Sequence, residues 1–197
     1  MTMRVDEKLN LVLPVRESPD GEPFSYAVHT PISREVFEIS FRILSLTKAA
    51  LFSKGIPFAF GTGPGIARLT LLDEAKRDET ERGEGAVLQA RAILQELKRL
   101  TMIVGPGGSG YAAIPVDSAL GSGLIDKEEW EEAESALLFF TLAFSLVKMR
   151  DRKMVTESTA SLLGGSLTSQ TPSEFAASCQ ISTTEESRKV QASSVPL

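Results

Sequence analysis

The sequence predicts a mainly α protein: a small helical domain that carries an N-terminal β-hairpin and ends in a disordered C-terminal tail. Three observations point there. Apolar residues recur at helical spacing through most of residues 30–150. Strict alternation marks two short runs before residue 30, on either side of a Pro-Asp-Gly turn. From about Thr156 serine and threonine dominate and no helical period persists. The division that follows is a helical domain over 1–155, with the hairpin at 7–30, and a Ser/Thr-rich flexible tail over 156–197.

The hairpin rests on Lys8-Leu9-Asn10-Leu11-Val12-Leu13, which places Leu9, Leu11 and Leu13 on one face. Ser18-Pro19-Asp20-Gly21 is the turn signal, and Phe24, Tyr26 and Val28 alternate on the return. Two strands alone are marginal in water, so they must pack on helices or pair with another chain. The first helix is expected from Thr30-Pro31, with Thr30 as cap and Pro31 in the first turn. Ile32, Val36, Phe37, Ile39, Ile43, Leu44 and Leu51 form its stripe, and Gly55 and Pro57 end it. Residues 56–65, IPFAFGTGPG, read as a loop that exposes Phe58 and Phe60. A second helix is expected from Pro64 or Gly65 to about Glu81, with Ile66, Leu69 and Leu72 on one side, and a third from about Glu84 to Met102, with Val87, Leu88, Ile93, Leu94, Leu97 and Leu100 inward. The glycine-rich stretch 105–115 reads as a long flexible loop. The last helix opens at Asp126, where Asp126-Lys127-Glu128-Glu129 is a capping-box pattern, and runs to about Arg150. Its segment Ala136–Val147 is apolar nearly all round, which requires burial in a bundle core or at an interface. A membrane-spanning helix needs roughly 20 such residues, so a soluble, cytoplasmic protein is expected. The N-terminus lacks the pattern of a secretory signal.

Composition narrows the chemistry. The 197 residues carry 21 Lys and Arg against 26 Asp and Glu, a net charge of −5, which argues against nonspecific binding to nucleic acid. One cysteine, Cys179, excludes an intrachain disulfide and a cysteine-based zinc site, and one histidine, His29, excludes a two-histidine metal site. Gly61-Thr62-Gly63-Pro64-Gly65-Ile66 precedes a helix, but neither the dinucleotide fingerprint nor the P-loop spacing is present, and it reads as a plain turn. Gly105–Gly110 reads as a connector. His29 lacks the partners that a hydrolase triad needs at a recognisable spacing. Glu128, Glu129, Glu131, Glu132 and Glu134 lack a Glu-x-x-His companion and read as a solvated acidic face. Nothing near Cys179 lowers its thiol pKa by sequence alone. No catalytic residue, cofactor site or metal site is assigned, and the chain is expected not to be an enzyme.

Aromatic residues are the more informative group. Phe58, Phe60, Trp130, Phe139, Phe140 and Phe144 either fill one core or in part line a groove for a partner. Phe37 and Phe41 on the first helix join them as candidate partner-binding residues. Phe175 joins them as an apolar anchor within Thr171-Pro172-Ser173-Glu174-Phe175-Ala176-Ala177, a segment suited to folding on a partner. A groove between the 32–54 and 126–150 helices, rimmed by Glu128–Glu134, would suit an amphipathic helix.

In order and wording the chain resembles the tail assembly chaperones of long-tailed, siphophage-type bacteriophages. The resemblance is carried by VDEKLNLVLPV with its Asp-Gly turn and the following Tyr26–Phe37 stretch. Next come the helix ending Leu97-Lys98-Arg99-Leu100, the glycine-rich loop and the Ile114-Pro115-Val116 step. Last is the acidic-then-apolar helix ending ALLFFTLAFSLVK, with SLTSQTPSEFAAS behind it. The resemblance implies a protein of the infected host's cytoplasm that coats the tape measure protein and keeps it soluble. It also implies that a frameshifted extension recruits tail tube protein subunits, this chain being the unshifted product. Neither nucleic acid nor a membrane is an expected partner, and self-association is left open. The alternatives are a structural tail completion or terminator subunit of the virion, whose hairpin pairs strands between neighbours, a small hydrolase or nucleotide-binding enzyme, and a regulatory interaction module.

Overall fold

The computed structural model describes residues 9–179 apart from 19, 20, 22, 84, 109 and 146. The chain runs β1 (Asn10–Glu17), β2 (Pro23–His29), α1 (Arg34–Phe52), α2 (Ile56–Arg82), α3 (Ala86–Arg99), β3 (Thr101–Gly107), β4 (Gly110–Pro115), α4 (Val116–Ser122), α5 (Lys127–Ser145), α6 (Met149–Leu162) and β5 (Ser166–Thr168). A short helix, α7, follows over 172–179. Helix accounts for 66% of the structure, so the mainly α expectation holds, but the β component is a five-stranded antiparallel sheet and not a lone hairpin.

The sheet order is β4-β3-β2-β1-β5. The expected hairpin is its centre: Val12 faces Val28 and Leu13 faces Ala27, while β1 also pairs with β5 and β2 with β3. Both outer edges of the hairpin are therefore occupied within the chain. The outer strands of the sheet are β4 and β5, not the hairpin.

Alternation divides the sheet into two faces. Leu11, Leu13, Ala27 and Ile103 meet Val116 and Ala119 of α4, Trp130, Ala133, Leu137 and Phe140 of α5, and Ala160 of α6. Helix α5 then turns its opposite side, Leu138, Phe139 and Leu142, toward a second cluster built with α1, α2 and α3. That explains why its sequence is apolar all round: the helix is sandwiched between the sheet and the helical layer. Its start is the capping box that the sequence predicts, with Glu129 N–H donating to Asp126 Oδ1 at 2.9 Å and Asp126 N–H to Glu129 Oε2 at 2.7 Å.

Several boundaries differ from expectation. Helix α1 begins at Arg34 with Ser33 as cap, whose Oγ accepts from Val36 N–H at 3.2 Å, and the Thr30 hydroxyl donates instead to Asn10 Oδ1. Residues 56–65 are not a loop but the first turns of α2, which continues through Pro64. Ala59, Gly63, Ala67, Leu71 and Ala75, each four apart, form its buried stripe. Small side chains on that stripe let α2 lie close against α5: a Cβ on Gly63 would stand 2.5 Å from Phe139 Cε2. Close packing along this stripe outweighs the local helix-breaking preference of the two other glycines and Pro64.

Residues 101–115, expected as a helix end followed by a loop, form the β3–β4 hairpin. Thr101, Ile103 and Val104 are β-branched, and all three are buried. The helix expected over 126–150 is broken after Ser145, with Lys148 extended (φ −58°, ψ 141°) ahead of α6. The flexible-tail expectation for 156–197 is corrected over 156–179, which comprise the end of α6, strand β5 and α7. Ala160 and Ala176 are buried there. Gly165 sits so tightly against β1 that a Cβ would lie 2.5 Å from the Val12 carbonyl oxygen. Residues 180–197 of the expected tail lie outside the described residues, as do residues 7 and 8 of the expected hairpin.

Candidate functional site

The nine aromatic residues expected to bind a partner do not come together in one groove. Phe139, Phe140 and Trp130 are buried, and they belong to two different clusters on opposite sides of α5. Phe52 stacks on Phe139 at 6.3 Å, and Phe60 meets the same ring edge-on at 5.8 Å. Phe60 is thus half-buried and part of the core, not a loop residue presented to solvent. Phe144 is half-buried against Phe140, with ring centroids 5.3 Å apart. Phe58 is half-buried, with Lys54 Nζ 5.0 Å from its ring centroid. Phe175 packs on the far side of the sheet against Tyr26. The proposed groove between α1 and α5 is therefore filled: α1 packs its buried face into the cluster that also holds Phe139 and Leu142.

Phe41 alone of the nine is exposed, at 51%, with its neighbour Phe37 half-buried and edge-on to it at 5.9 Å. The remaining exposed large apolar side chains among the described residues are not aromatic: Ile39, Ile56, Leu69, Leu88, Met154 and Leu162. Leu88 is the most exposed of them, at 74%. Three of them correct the expected stripes: Ile39, Leu69 and Leu88 were expected on the apolar sides of their helices and are exposed, Leu88 because it lies opposite Ala90, Ile93, Leu94 and Leu97.

Charge surrounds these positions. Arg42 of α1 pairs with Asp78 of α2, and Gln89 Nε2 of α3 donates to the Ile39 carbonyl at 2.6 Å. The glutamates of α5 are not one solvated face. Glu128 and Glu132 are exposed, but Glu129 receives Arg16 Nε at 2.6 Å, and Glu131 and Glu134 both bind Arg68. Glu134 is buried, and that burial holds its carboxyl above the usual range against the opposing pull of the Arg68 guanidinium. These residues tie α5 to β1 and α2.

The other candidates also take structural places. Gly61–Ile66 is helix interior and presents no phosphate-binding turn. Gly107 and Gly110 are the paired residues that close the β3–β4 hairpin. Cys179 is half-buried in α7, and burial pushes its thiol pKa up, away from a nucleophilic thiolate.

His29 is fully buried in β2, and its Nδ1 lies 2.9 Å from Thr101 Oγ1. Thr101 spends its proton on the Leu97 carbonyl at 2.7 Å, so the imidazole must donate through Nδ1, and Nε2 is the unprotonated nitrogen. No described residue reaches Nε2. Burial lowers the pKa of the ring to about 4, with only a small upward pull from Glu96.

Two shallow depressions open at the surface. One, of about 490 Å³, lies between Arg16, Phe24, the β3–β4 hairpin and Leu124. The other, of about 460 Å³, lies between α6, Leu9 and β5. Neither is lined by any of the exposed apolar residues of α1–α3. Among the described residues no group of three or more His, Cys, Asp or Glu side chains is placed to hold a metal ion, and no helix is long and apolar enough to cross a membrane. No protein-family model, curated protein or solved structure matches the chain.

Proposed function

We propose that this chain is a tail assembly chaperone of a long-tailed bacteriophage, acting in the host cytoplasm to hold the tape measure protein in solution and to help recruit tail tube subunits. The reading rests on the sequence resemblance and on one structural observation. Of the seven large apolar side chains that are exposed among the described residues, five lie on α1–α3: Ile39, Phe41, Ile56, Leu69 and Leu88. The partner surface is accordingly moved from the α1–α5 groove, which is core, to the outside of the helical layer.

An amphipathic helix of a long partner would lay its apolar residues against these side chains, with the Arg and Glu residues between them meeting its polar flanks. Isolated exposed apolar side chains are weak sites one at a time. Many copies on one long partner gain affinity together, because each bound copy adds a further shallow contact to the same assembly. On this reading the chain binds and does not catalyse, and it needs no cofactor.

The test is co-expression of the tagged chain with the tape measure and tail tube proteins encoded beside it, together and singly. The proposal expects the tape measure protein in the soluble fraction, co-purifying, only when this chain is present. A folded chain that leaves the tape measure protein insoluble and unbound contradicts it.

A further inference from the structure

The two outer strands of the sheet are not alike. Strand β5 has three residues, and an edge so short offers little to a further strand. Strand β4 has six residues, and among the described residues it has a strand on one side only. Exposed edges are normally blunted by a charge, a bulge or a proline within the strand. None of these protects β4. Its sequence, GYAAIP, carries no charge and its proline is the last residue. Its register with β3 runs from Met102 opposite Pro115 to Gly107 opposite Gly110 without a shift.

Pairing elsewhere in the sheet fixes which backbone groups this edge presents. Thr30 N–H donates to the Leu100 carbonyl at 3.0 Å, continuing the pairing of β2 with β3. Even-numbered residues of β3 therefore turn their N–H and C=O toward β2, and odd-numbered ones toward β4. Ile103 and Gly105 pair with Ile114 and Ala112, so the backbone groups of those two are spent on β3. Ala113, between them, directs its N–H and C=O out of the sheet. The prolines agree with this phase. Pro106 and Pro115, which have no N–H, both stand where the β3–β4 ladder asks for none.

The side chains divide as the strand pleats. Ala113 lies with Val12, Val28 and Val104 on one side, the valine face, which Phe175 and Ala176 of α7 cover. Ile114 lies on the side of α4 and α5. Ala112 is exposed on that same side, and both residues line the depression of about 490 Å³ beside Phe24 and Leu124.

We infer that β4 is the seam of a homodimer: β4 of a second copy pairs with it antiparallel about a two-fold axis at Ala113, joining two five-stranded sheets into one. Symmetry, side-chain size and charge select a second copy as the occupant. Two-fold antiparallel pairing is self-complementary, so Ala113 meets Ala113 of the second copy and each N–H donates to the other carbonyl. The same register sets Ala112 against Ile114 of the second copy, small opposite large, beside the depression that Ala112 lines. No charge on β4 repels its own image. The strand carries none of the exposed residues assigned to the tape measure protein, and the inference does not rest on the chaperone reading.

Sedimentation equilibrium of the full-length chain, over about a hundredfold range of concentration, tests it. The expected result is a monomer–dimer equilibrium that stops at the dimer, since each copy has one β4. Ala113→Pro removes an N–H that the β3–β4 ladder does not use. It should raise the dimer dissociation constant about tenfold or more, with Trp130 emission and the urea transition native. Ala112→Lys should do the same through a side chain alone. In a Cys179→Ser background, Ala113→Cys should oxidise to a covalent dimer, because the paired Cα atoms stand about 5.5 Å apart. Ser158→Cys, exposed on α6, should not. A natively folded chain that stays monomeric across the range would leave the edge to another occupant and overturns the inference, as does growth past the dimer. A dimer that the folded edge variants retain, or that Ala113→Cys fails to cross-link, forms elsewhere and also overturns it. Where Ala113→Pro does not fold, Ala112→Lys and the cross-link decide on the same terms.

Discussion

His29 carries the clearest single-residue consequence. The folded chain holds its imidazole neutral to about pH 4, against 6.5 for an unburied ring. Between those values the unfolded chain binds a proton that the folded chain refuses. Stability is therefore complete above pH 6.5 and falls as pH drops toward 4, by about 3 kcal/mol in total. Urea transitions at pH 7.0 and 4.5 should show that loss, and His29→Gln, whose amide can still donate to Thr101 Oγ1, should flatten it. An unchanged slope in His29→Gln would show that other groups set the acid response. Gly63 makes a second case at this scale. Gly63→Ala forces a methyl onto the Phe139 ring and should cost about 1–3 kcal/mol. Gly61→Ala and Gly65→Ala meet nothing within 4 Å and should each stabilise the helix by about 0.5–1 kcal/mol. Thermal melts of the three variants separate a packing requirement from a helix-propensity cost.

At the scale of elements, α5 is the one whose sequence was read most fully. Its capping box and its need for burial are legible, since acid-first order and an unbroken apolar run are local signals, whereas its end at Ser145, short of the expected Arg150, is not. Which neighbours bury it was not legible, because the sheet that covers Trp130 and Phe140 assembles from strands distant in the chain. Phe140→Ala should therefore cost about 3–5 kcal/mol as a core deletion, whereas Phe41→Ala should stay within about 1 kcal/mol; chemical denaturation distinguishes them. The opening of α2 was hidden for the opposite reason. Three glycines and Pro64 give a loop reading locally, and only the four-residue spacing of Ala59, Gly63, Ala67, Leu71 and Ala75 reveals a helix that packs on small side chains. Strand β3 was read as a helix end because Thr101–Val104 continues the apolar run of α3, and the pairing that makes it a strand comes from β2.

For the whole molecule, the hairpin and the helical body were visible while the closure of the sheet was not. Strand β5 has three residues and α7 two turns, too short to register as periods in a region rich in serine and threonine. They pack against β1 and the valine face, which come from distant parts of the chain. The aromatic residues have two readings in the sequence, a filled core or in part a partner groove, and the buried Trp130, Phe139 and Phe140 follow the first. The surface left to act is the outer side of α1–α3, and two of its residues, Leu69 and Leu88, are exposed enough that Leu69→Glu with Leu88→Glu should change stability by no more than about 0.5 kcal/mol per site. Co-expression of the tape measure protein with this double variant and with the unaltered chain, scored as soluble tape measure protein per folded chain, tests the central claim most directly. The account predicts that the unaltered chain keeps the tape measure protein soluble and that the folded double variant does not. Equal solubility with both would contradict the assignment of the helical layer as the binding surface, and insolubility with both would contradict the chaperone reading itself.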